Sequence, residues 1–175
     1  MKKVAVFGNT GGGKSTLSRR LANITGVPWV PLDSIQYQPG GDEVPHAEFK
    51  AAHDALLQQD QWIIDGFGSL DTVWERLGVA DTLVYIDLPL PQHYWWVTKR
   101  FLQGGWVKPA GWPENSSVLK GTLNAYNILW LCHSKLTPRY REYVNRAKAT
   151  KQVYHLRSRR DVQQFLQEMT DQFES

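Results

Sequence analysis

Residues 8–15 read Gly8-Asn9-Thr10-Gly11-Gly12-Gly13-Lys14-Ser15, a complete G-x-x-x-x-G-K-[ST] loop. The residues before it, Lys3-Val4-Ala5-Val6-Phe7, form an apolar, β-branched run suited to a buried parallel strand. After it, Ser15 and Thr16 open a stretch in which Leu17, Leu21 and Ile24 recur at helical spacing. Strand, glycine loop and helix therefore stand in the order a phosphate cradle requires. Glycines let backbone N–H groups curl around an anion without Cβ interference, and the helix N-terminus adds partial positive charge. Lys14 has the reach to meet β- and γ-phosphates, and the Ser15 hydroxyl is a candidate Mg²⁺ ligand. The loop thus implies a nucleoside triphosphate, with Gly8 to Thr16 as its binding residues.

At 175 residues the chain fits one α/β domain, long enough to bury roughly two-thirds of its unfolded surface. It has no run of 18 apolar residues, which argues against a membrane span. A strand begins almost at Met1, leaving no room for a signal peptide, and the single cysteine, Cys132, cannot form an internal disulfide. Both point to a cytoplasmic protein. The net charge of +3 hides an asymmetry. Residues 135–160 carry nine Lys or Arg against one acid, Glu142, while the remainder has 11 basic and 16 acidic residues. Such a third can contact nucleic acid, hold triphosphate, or simply face solvent.

Strand and helix signals alternate along the chain. Val27 to Leu32 reads as a short strand with Asp33 at its carboxyl end; His46 to Gln59 reads as a helix. Trp62-Ile63-Ile64-Asp65 is an apolar run closed by an acid, and Ser69 or Asp71 can cap the helix that follows. Thr82 to Asp87 is another buried-type strand, followed by a helix from Pro91 to about Leu102. Between Gly104 and Gly121, glycines and prolines interrupt every period, which suggests a mobile flap within the domain. A helical stretch from about Leu119 to Lys148, broken at Pro138, precedes a fifth strand at Gln152–Leu156. Ser158 and Asp161 then open the last helix in capping-box fashion. Five strands joined by helices predict a five-stranded parallel sheet with helices on both faces and ligands at the carboxyl ends of the strands.

A phosphate loop needs a second acid near its metal, usually at a strand end. Asp33, Asp65 and Asp87 qualify, and each can alternatively cap a turn. The chain lacks an Asn-Lys-x-Asp guanine-reading motif and a Leu-Ser-Gly-Gly-Gln signature, so guanine-nucleotide switches and transport ATPases are set aside.

The loop Gly8–Ser15, Leu32-Asp33, Trp62-Ile63-Ile64-Asp65-Gly66, Ala80 to Pro89 and Leu156-Arg157-Ser158-Arg159-Arg160 together resemble the adenylate-kinase-like nucleotide kinases over nearly the whole chain. Within that group the chain is most similar to the small bacterial DNA topology modulation (FlaR-like) proteins. The resemblance implies a P-loop phosphotransferase using ATP and Mg²⁺, with Asp65 organising the metal and Asp33 close to the acceptor. It places Arg100 where relatives carry a lid arginine that meets the transferred phosphate. Trp96 falls where they carry an arginine stacked on adenine, and an indole can stack likewise. Core packing is the competing reading for Trp96, and a surface role for Arg100. Arg157 and Ser158 resemble the loop that lines the base with backbone groups, with a helix cap as the alternative for Ser158.

The departures fall on the acceptor side. Relatives follow Asp-Gly-Phe with Pro-Arg-Thr, whereas Gly68-Ser69-Leu70 stand here, so the arginine that holds an acceptor phosphate is missing. Arg76, on the next helix, is the nearest substitute. The flap carries Trp106 and Trp112 in place of arginines, and five of the eight tryptophans lie between residues 95 and 130. The expectation is transfer of the γ-phosphoryl of ATP to a small acceptor, with Lys14, Arg100 and one of Arg139, Arg141 or Arg146 meeting the phosphoryl charge. The alternatives are an ATPase, or a nucleotide-dependent regulator that binds DNA through its basic third.

Overall fold

The computed structural model describes residues 1–39, 41–103 and 126–173. The flap at 104–121, with Trp106 and Trp112, lies outside the described residues, as does the start of the helical stretch at Leu119. The chain builds β1 (Lys3–Gly8), α1 (Lys14–Thr25), β2 (Trp29–Pro31), α2 (Asp33–Gln36), α3 (His46–Leu57), β3 (Trp62–Asp65), α4 (Leu70–Val79), β4 (Thr82–Ile86) and α5 (Leu90–Gln103). Helical residues 126–131 run into a π-helical turn, Cys132–Leu136, and on into α6 (Thr137–Ala147). Strand β5 (Gln152–Leu156) and α7 (Arg159–Phe173) complete the described chain.

Among the described residues all strand pairs are parallel, in the order β2-β3-β1-β4-β5. Alternation along β1 explains the layering. Val4 and Val6 face one side with Leu17 and Leu21 of α1 and Phe165, Leu166 and Met169 of α7. Ala5 and Phe7 face the other with Phe49 of α3, Val73 and Leu77 of α4, and Tyr140 and Val144 of α6. A sheet covered on both faces needs strands that are apolar throughout, and β3 and β4 are buried at every position.

Two expected details differ. Pro138 does not break the helix. It stands in the first turn of α6, where the missing N–H costs nothing, and the irregularity is the π turn just before it. Asp33 starts the short α2 instead of ending a strand, and α3 stops at Leu57.

Candidate active site

Strand β1 lies between β3 and β4, so the loop that leaves its end sits between the ends of both neighbours. Gly8 (φ +140°), Gly11 (φ +70°) and Gly13 (φ +80°) all occupy the region that favours glycine. A Cβ at Gly11 would lie 2.9 Å from Val97 Cγ2, and one at Gly12 would lie 3.1 Å from His93 Cε1, because α5 packs directly against the loop. Buried His93 supports the loop from below, its Nδ1–H donating to the Thr10 carbonyl at 2.8 Å. Burial pushes the His93 pKa down, which keeps the ring neutral beside Lys14. The loop also closes on itself. Asn9 Oδ1 accepts from the Thr10 N–H (2.8 Å), Asn9 Nδ2 donates to the Leu129 carbonyl (3.1 Å), and Lys14 Nζ donates to the Asn9 carbonyl (2.9 Å). Helix α1 begins with no side-chain cap and no acid in its first turn, so its positive end is left for an anion.

Asp65, at the end of β3 and only 2% exposed, meets this loop. Its Oδ1 accepts from Ser15 Oγ (3.1 Å) and its Oδ2 from Trp29 Nε1 (2.7 Å). Two neighbouring ligands of an octahedral ion with bonds of about 2.1 Å lie about 3 Å apart, so this hydroxyl and carboxylate fit Mg²⁺, a hard cation that prefers oxygen. The backbone around Asp65 is held as well. The Leu32 N–H donates to its carbonyl (2.9 Å), and Arg76 Nη2 donates to the carbonyl of Gly66 (2.8 Å). Arg76 is thus a core residue and not a surface arginine of an acceptor pocket. Burial pushes its pKa down to about 10, against the attraction of Tyr140 and Asp65, and it remains a cation at neutral pH.

Asp87, one residue beyond Ile86, belongs to a separate cluster. Arg141 grips it with Nε and Nη2 (2.8 and 2.9 Å), and His155 Nε2–H donates to Oδ2 at 2.9 Å. Of the three acids, then, Asp65 joins the loop, Asp87 joins β4, β5 and α6, and Asp33 stands exposed at the start of α2. Trp96 is half-buried with Arg159 stacked 4.8 Å from its ring, so a cation occupies one face of the indole. The Ser158 hydroxyl caps α7, accepting from the Asp161 N–H (3.1 Å) and donating to Asp161 Oδ1 (2.6 Å). The Arg157 and Ser158 N–H groups are likewise taken by Asp161 Oδ2, and the Ser158 carbonyl accepts from the Val162 N–H (3.2 Å), so the expected backbone contact to a base falls to the Arg157 carbonyl and not to Ser158. Arg100 is in α5, and its side chain lies outside the described residues. Thr16 is exposed on the first turn of α1.

Sequence reasoning missed Trp29, His93 and His155. Only His93 left a signal, standing four residues before Val97 so that both point at the glycines. Four of the nine cations of the basic third have these partners within the molecule. Arg139 stacks on Trp74, Arg141 holds Asp87, Arg159 covers Trp96, and Lys151 Nζ donates to the Gly78 and Ala80 carbonyls.

The sheet, the loop and the helices on both faces define a P-loop kinase fold. Shikimate kinase from Acinetobacter baumannii, in complex with shikimate, matches with a TM-score of 0.62 and 15% identity over 98% of this chain and 92% of that one. Shikimate kinase from Bacteroides thetaiotaomicron matches with a TM-score of 0.56 and 14% identity over 98% of both chains. At this identity the likeness is one of fold. No protein-family profile and no curated protein sequence matches the chain.

Proposed function

We propose that the protein is an ATP-dependent phosphotransferase that moves the γ-phosphoryl of ATP to a small acceptor, a nucleotide or another hydroxyl- or phosphate-bearing molecule. The observation that carries this reading is the 3.1 Å contact between Ser15 Oγ and Asp65 Oδ1, which joins the phosphate loop to a strand-end carboxylate. The loop N–H groups and Lys14 hold the triphosphate, and Ser15 and Asp65 hold Mg²⁺. When bound, the metal neutralises charge on the phosphates. Trp96 and the carbonyl of Arg157 take the base. Asp33, at the same sheet end as Asp65, orients or deprotonates the acceptor hydroxyl. Arg100 meets the charge spread over the transferring phosphoryl, and the flap excludes water that would otherwise hydrolyse ATP. The resemblance to the DNA topology modulation branch is compatible with this chemistry. Arg139, Arg141, Arg159 and Lys151 each have a partner within the chain, which weighs against a DNA-binding role even though the three arginines lie at the surface.

The test is an ATP-consumption screen over nucleoside monophosphates, nucleosides and small hydroxylated metabolites, shikimate included because one structural neighbour holds it. One acceptor should raise turnover well above basal hydrolysis, and Lys14→Ala should abolish the rise. If every acceptor leaves turnover at the basal rate, the kinase reading fails.

A further inference from the structure

The core holds a cation with too few partners. Arg76 is fully buried, and among the described residues its Nε and Nη1 have no hydrogen-bond partner. Its one acceptor is the neutral carbonyl of Gly66. The adjacent buried polar group, His53, offers no compensating charge. Burial and the Arg76 charge lower its pKa and outweigh Asp54, whose Oδ1 lies 3.5 Å from Nδ1. A buried ion held this poorly is costly, and an apolar side chain of similar volume is often the more stable choice. The residue does touch one thing of chemical interest. Gly66 follows Asp65 in a left-handed conformation (φ +113°), with its Cα hydrogen facing Leu32 so closely that a Cβ would lie 3.0 Å from Leu32 Cβ. The peptides on either side of this bend are fixed by the Leu32 N–H and by Arg76.

From this the geometry points to Arg76 as a positioning residue for the metal carboxylate: its hydrogen bond pins the Asp65–Gly66 bend, so that Asp65 stands ready beside Ser15. The inference rests on the proposed Mg²⁺·ATP site and adds a residue that never touches the nucleotide. Partners of metal ligands that act at one remove typically change metal affinity ten- to a hundredfold when lost. The hydrogen bond is the larger part of the effect, because a positive charge near a metal site by itself weakens cation binding.

The experiment compares the full chain with Arg76→Met and Arg76→Lys in two measurements. Thermal melts without nucleotide or metal report stability. Titration with a fluorescent ATP analogue across a Mg²⁺ series reports the metal concentration for half-maximal tightening. Arg76→Met should melt at or above the wild-type temperature, and it should bind the analogue normally without Mg²⁺. It should also need at least about tenfold more Mg²⁺. Arg76→Lys, which keeps a donor and a charge, should recover much of that loss. A folded Arg76→Met with wild-type or tighter Mg²⁺ dependence overturns the inference. So does failure of both variants to fold, which would assign Arg76 to packing alone. If the wild-type chain shows no Mg²⁺-dependent binding of the analogue, the functional reading itself fails, and that result is seen before any variant is made.

Discussion

Gly8 shows how tightly single positions are specified here. At φ +140° an L side chain is strained, and a Cβ would lie 2.2 Å from the carbonyl oxygen of Ile86 on the neighbouring strand. That obstacle is backbone, which cannot rotate aside. Gly8→Ala should therefore lose at least about 2 kcal/mol in urea unfolding and bind ATP poorly even where folded. A variant as stable as wild type would show that the β1–β4 register relaxes. Single residues also show where reading a sequence stops. Lys14, Ser15 and Asp65 declare themselves because their chemistry is tied to local neighbours, a loop and a strand end. Trp29 and Arg76 do not, because each acts on the Asp65–Gly66 bend only after strands and helices distant in sequence have been brought together.

Among the elements, α7 offers the cleanest measurement. Its first turn is closed by Ser158 and Asp161, which exchange hydrogen bonds, and Asp161 also takes the Arg157 N–H. Ser158→Ala should cost about 1 kcal/mol, read by chemical denaturation. No loss would mean that Asp161 alone suffices as the cap. This element was legible in advance, since a cap and its N3 acid stand at a fixed spacing before a helical apolar face. The strands were legible for the same local reason, as apolar runs closed by Asp65 and Asp87. The π turn at Cys132–Leu136 was not, because nothing in Cys-His-Ser-Lys-Leu demands a wider turn. Its cause is tertiary: the residues before it serve the loop and those after it serve the core.

For the molecule as a whole, acid should be the weak side. Burial lowers the pKa values of His53, His93 and His155 below the ordinary 6.5, with Arg76 adding to the effect at His53. Each therefore binds more protons when unfolded than when folded in the interval below pH 6.5, and stability falls as pH drops through it. The slope is up to about 1.4 kcal/mol per pH unit for each histidine. Asp87 acts lower down. Burial raises its pKa, but the hydrogen bonds from Arg141 and His155 outweigh this and hold it below the usual value, so its contribution persists above about pH 4 and is lost beneath. Urea unfolding between pH 8 and pH 5 checks the histidine effect, and a flat profile would contradict it. The same molecule-wide view gives the π turn its meaning. Downstream, the buried stripe runs through Thr137, Tyr140, Val144 and Ala147; continued backwards at seven-residue spacing it would arrive at Trp130. Instead Leu129 is the buried one, its carbonyl facing Asn9, and Trp130 is 58% exposed. The extra residue works as a gear tooth, advancing the helix one step so that the core and the phosphate loop can each read the side of it they need.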